Sequence, residues 1–264
     1  MRKTLLALIT GLVISGCDDD SSSSSNSISK ASESDISSLV EATNYTPSAT
    51  TLTDSGTMST YSQTGIVRFD TTAQIPLYYV SSNSSSAPDS IVTAFSNLED
   101  RLGDIFTDIT VITADLSVYR DTNYSNENRG NGTFDASTFN STYGVATGLV
   151  ISEGTAYYSS EYSNDPQNMC ANASSAPYYG GLSISIDPNT SLYASDTVLW
   201  LNMGNGQCDW DYKMVMHETA HNMGMFDHLD DYFGLWSDTA MNVLGTLYSN
   251  AGGTEYTNLT INYQ

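Results

Sequence analysis

At 264 residues the chain has room for one sizeable domain or two small ones. Thirty acidic residues against eight basic ones leave a formal net charge of -22, which excludes nucleic-acid binding because phosphates would be repelled. So acidic a balance fits solubility in salt or a cationic substrate, and names no substrate by itself.

The chain opens with MRKTLLALITGLVISGC: a short basic start, an apolar run from Leu5 to Ile14, and small residues before Cys17. This pattern predicts a secretory signal peptide over 1–17, the run being too short to span a bilayer. Ile14-Ser15-Gly16-Cys17 resembles the bacterial lipobox. That resemblance implies removal of the signal before Cys17, lipidation of Cys17, and a place in the bacterial cell envelope with membrane contact through this anchor only. Ordinary secretion with an incidental cysteine is the alternative. Cys170 and Cys208 then remain in a chain that leaves the reducing cytosol, and one disulfide between them is the economical reading.

Residues 18–58 are rich in Ser, Thr and Asp and nearly free of aromatic side chains. Such a composition buries too little apolar surface to offset the entropy of ordering, so it predicts a disordered tether ahead of a folded domain over 59–264. Within that domain GIVRFD and IPLYYV read as an early strand region interrupted at Pro76. PDSIVTAFSNLEDRLGDIF carries Ile91, Phe95, Leu98, Leu102 and Phe106 at helical spacing behind a Pro-Asp start. DITVITADL, VATGLVIS, GGLSISID and DTVLWLNMG read as further strands, with a Gly, Asn and Ser rich excursion from Tyr119 to Ser141. The last strand leads through NGQCDWD into YKMVMHETAHNMG, a helix that Asp209 or Asp211 can cap and Gly224 can end. This order predicts an α+β domain: a mixed twisted sheet, a packing helix, and a helix that carries the chemistry.

All three histidines of the chain fall between 217 and 228, in HETAHNMGMFDH. One helical turn separates His217 from His221, so both imidazoles reach one point, and Glu218 stands beside them with a free carboxylate. Two nitrogen ligands and a general base are what metal-assisted hydrolysis requires. Gly224 and Asp227 extend the pattern to H-E-x-x-H-x-x-G-x-x-D. A helix cannot supply a third ligand from its own next turns, so the chain must turn sharply, and glycine permits the left-handed conformation that does so.

This extended motif resembles that of the metzincin zinc endopeptidases, and aspartate in the last place followed at once by histidine is similar to the snapalysin family. The resemblance implies zinc held by His217, His221 and Asp227, with Glu218 as catalytic base and a protein or peptide as substrate. His228 is the rival third ligand; Asp230 and Asp231 are weaker ones. It further implies a Met-turn below the metal, for which Met241 in SDTAMNV is the candidate, and a sheet edge along the cleft formed by GGLSISID. Tyr232 and Tyr248 are unselected candidates for helping at an oxyanion. The alternative function is a non-catalytic envelope lipoprotein, a binding module or adhesin, whose zinc is structural.

Overall fold

The computed structural model describes residues 30–44, 50–52, 58–60, 63–126, 130–153, 171–174, 184–204, 209–229 and 236–264. Helix α1 (Glu33–Asn44) precedes a small antiparallel pair, β1 (Thr50–Leu52) and β2 (Met58–Thr60). Then come β3 (Ile75–Ser81), α2 (Asp89–Leu102), β4 (Phe106–Thr113), the hairpin of β5 (Arg120–Asn126) and β6 (Gly130–Phe134), and α3 (Ala136–Tyr143). The rest is β7 (Gly148–Glu153), β8 (Ala171–Ser174), the short pair β9 (Ile186–Asp187) and β10 (Leu192–Tyr193), β11 (Val198–Met203), α4 (Tyr212–Asn222) and α5 (Asp238–Ser249).

Five strands form the main sheet in the order β4-β3-β7-β11-β8. The first four run parallel and β8 lies antiparallel on the edge beside β11. Parallel neighbours cannot be joined by a tight turn, and α2 supplies the crossover from β3 to β4. The wiring is therefore of mixed α/β type, where the sequence predicts α+β. Pro76 interrupts nothing: β3 runs through it, and the register with β4 shifts between Ile75 and Leu77.

Alternation along each strand divides the core in two. Leu77 and Tyr79 of β3, Leu149 and Ile151 of β7, and Leu199, Leu201 and Met203 of β11 face the larger cluster, with Ile91, Phe95 and Leu98 of α2 and Val215, Met216 and Ala220 of α4. Val80, Val150 and Trp200 face the other side, where Phe139 of α3 sits edge-on to Trp200 at 5.2 Å between ring centres. Asp135 caps α3 and Gly144, at φ 68°, ends it, so the excursion expected from Tyr119 to Ser141 is a hairpin and a helix that cover this second face.

Three expectations are corrected. The tether expected over 18–58 contains α1, whose Ile36 and Val40 are fully buried against the main core and which lies along α5. Ile36, Leu39 and Val40 are a helical stripe that the average composition of a serine-rich segment conceals. The edge strand is β8, not GGLSISID; of the latter, Ile184 and Ile186 are buried and the chain pairs only within β9 and β10. Phe106, placed by its spacing on the helix of α2, begins β4, because Gly103 at φ 83° ends the helix. Among the described residues no helix is long and apolar enough to cross a membrane.

Candidate metal centre

Helix α4 starts where the Asp211 side chain accepts hydrogen bonds from the backbone N–H groups of Lys213 and Met214, at 2.9 and 3.1 Å. These are donors that the first turn of a helix leaves unpaired. The helix runs beneath the sheet, in contact with α2, β11 and the edge strand β8. His217, Glu218 and His221 are buried, as is nearly every residue of its last two turns.

After Asn222 the chain reverses. Met223 donates to the Thr219 carbonyl and Met225 to the Ala220 carbonyl, both at 2.9 Å. Gly224 between them has φ 108°, a conformation that side chains with a Cβ rarely adopt. A Cβ there would also stand 2.8 Å from the Val67 carbonyl oxygen, so the position requires glycine twice over. Beyond the turn, buried Phe226 is followed by exposed Asp227, partly buried His228 and buried Leu229.

This path brings three imidazoles together. The Nε2 atoms of His217 and His221 are 3.1 Å apart, and that of His228 is 3.2 Å from each. His221 Nδ1 lies 2.6 Å from the Met225 carbonyl oxygen. A carbonyl only accepts, so His221 carries its proton on Nδ1 and presents a lone pair at Nε2. Three such groups at these distances could hold a metal ion. Imidazole nitrogens bound tetrahedrally to one zinc at its usual bond length stand about 3.3 Å apart, so the residues present fit that ion.

Asp227 is not in this cluster. It is exposed, and its carboxylate accepts the backbone N–H of His228 at 2.8 Å. Successive side chains of the extended segment point to opposite sides, so one of the pair 227/228 faces the site and the other faces water. The structure brings in the histidine that spacing ranks second.

Burial dominates the electrostatics. It holds His217 well below the usual imidazole range, helped by the neighbouring His221 and His228, and pushes His221 down to about 4. His228 is lowered by burial against an opposing pull from Asp227. The cluster is therefore neutral and basic at physiological pH, the state that binds a cation. Glu218 is pushed up to about 8 by burial, which the backbone N–H of Ala173 in β8 partly offsets.

Met241 lies in the first turn of α5, behind the Ser237 cap, and packs on the main core; SDTAMNV begins a helix here rather than forming a separate tight turn. Tyr248 is engaged elsewhere, its hydroxyl donating to the Met223 carbonyl at 3.0 Å. Cys17, Cys170, Cys208, Asp230, Asp231 and Tyr232 fall outside the described residues. What sequence reasoning missed is the part of α1 in this region: Phe226 donates to the Thr43 carbonyl at 2.6 Å, and Asn44 Nδ2 donates to the Gly224 carbonyl at 2.7 Å. The signal was the stripe of Ile36, Leu39 and Val40, which marks the segment as docked. No protein family, curated protein or solved structure matches this chain.

Proposed function

We propose that this chain is a zinc-dependent endopeptidase of the metzincin type, with His217, His221 and His228 as metal ligands and Glu218 as the general base. The observation that carries the reading is the triangle of Nε2 atoms with sides of 3.1 to 3.2 Å beside a buried carboxylate. Structural zinc is usually closed by four protein ligands, whereas three leave a position for the reactants. Glu218 adds support, because a closed structural site has no use for a desolvated carboxyl group next to its ligands. The bound metal would supply Lewis acidity toward a peptide carbonyl and toward water.

The chain's own residues do the rest. Glu218 holds a proton near neutrality while the cluster is uncharged, and a dication beside it favours the carboxylate, so metal loading switches it to a base. In that state it takes the proton of the attacking water and passes it to the departing amine. The Met225 carbonyl keeps His221 in one tautomer through both steps. The outer edge of β8, next to α4, offers unpaired backbone groups along which an extended peptide adds as a strand. The lipobox-like stretch ending at Cys17 supports an enzyme anchored by lipid in the bacterial envelope, and Cys170 and Cys208 remain its proposed disulfide.

Casein digestion with and without a zinc chelator, by wild type and Glu218→Gln, tests this reading. Hydrolysis should stop with the chelator and return with zinc. Glu218→Gln should keep its metal and lose about a hundredfold or more in rate, the usual size of a general-base effect. Stoichiometric zinc without hydrolysis in the wild type would make the site structural.

A further inference from the structure

We infer that Asn44, at the end of α1, is a positioning residue of the metal centre that holds His228 in register as its third ligand; the inference rests on reading the three histidines as ligands. Asn44 is fully buried, and its amide is used to capacity. Nδ2 donates to the Val67 and Gly224 carbonyls, both at 2.7 Å. Oδ1 accepts from the Val67 N–H at 2.9 Å, the Tyr256 hydroxyl at 3.0 Å and Gln63 Nε2 at 3.2 Å. A buried polar network with every member satisfied specifies one arrangement, since any shift leaves desolvated groups unpaired.

That arrangement includes the turn after α4. Asn44 grips the carbonyl of Gly224, and the Thr43 carbonyl grips the N–H of Phe226. Both peptide groups flanking Met225 are thus tied to α1, while the Met225 carbonyl itself orients His221. Because side chains alternate beyond this point, fixing Phe226 inward fixes Asp227 outward and His228 toward the cluster. A slip of one residue would exchange them. Neither His217 nor His221 depends on this clamp for its place on α4, so its loss falls on His228.

Cobalt(II) titration of the full-length protein, followed by its visible absorption, tests the inference. Asn44→Ala should weaken cobalt binding about 10- to 100-fold, the usual effect of removing a group that orients a ligand. Ile36→Ala loosens the same helix without touching the turn, and should leave the affinity of the folded protein within about twofold, as for a distant independent site. In a double-mutant cycle His228→Ala should cost far less in the Asn44→Ala background than in the wild type. Full additivity with His228→Ala, or an equal loss in Ile36→Ala, would overturn the positioning role. Should Asn44→Ala fail to fold, Tyr256→Phe, which removes one donor to Oδ1, replaces it in the same cycle: non-additivity with His228→Ala supports the role, and full additivity overturns it. A wild type that binds no cobalt or zinc would instead remove the metal reading on which all of this stands.

Discussion

Helix α4 and the segment 223–229 that follows it place side chains in opposite ways. On α4 the spacing of His217 and His221 is a property of any helix, and the Asp211 cap that starts it is two residues from its partner Lys213. Past the helix nothing local decides. The partners of Gly224 and Phe226 are Asn44 and Thr43, some 180 residues away in the sequence. Two ligands therefore come from local geometry, and the third comes from where a remote helix docks.

The sharpest way to break this comparison is at the adjacent pair. His228→Ala should lower zinc affinity by more than about a hundredfold, since losing a ligand outweighs losing a group that orients one. Asp227→Ala, which removes only an exposed acceptor for the His228 N–H, should retain stoichiometric zinc. Metal analysis after dialysis against a weak chelator distinguishes them, and the reverse ranking would return the site to Asp227.

A second, smaller effect concerns α1 itself. Ile36 is fully buried among α1, α5 and the main core, so Ile36→Ala should cost about 2–5 kcal/mol in urea unfolding, as for other large-to-small core substitutions. An unchanged midpoint would mean that residues 33–44 are the tether their composition suggests.

The smallest effect belongs to the local device. Asp211→Ala should cost about 1 kcal/mol, the usual value of an N-cap, with zinc affinity unchanged. A drop in zinc affinity on a par with that of His228→Ala would show that the start of α4, and not only its far end, sets the geometry of the cluster.

The helix α2 could be read from Ile91, Phe95 and Leu98, and the buried strands β3, β7 and β11 from their runs of branched and aromatic residues, because periodicity is a local signal. What hid the rest is equally specific. Serines outnumber the few apolar residues of 18–58, so a docked helix reads as a tether. Ala171–Ser174 is too short to stand out as a strand, although it forms the sheet edge beside α4. Parallel pairing leaves no mark on the residues it joins, which is why the wiring of the sheet was expected as α+β.

For the site, the sequence alone determined that His217, Glu218 and His221 share one stretch of helix and that Gly224 turns the chain after it. A 3.6-residue period and the steric freedom of glycine suffice for both. Only the tertiary structure decided between Asp227 and His228. Neighbours in an extended segment face opposite ways, and which of them faces inward depends on how the segment is held, a phase set by hydrogen bonds from Thr43 and Asn44 on a helix distant in sequence.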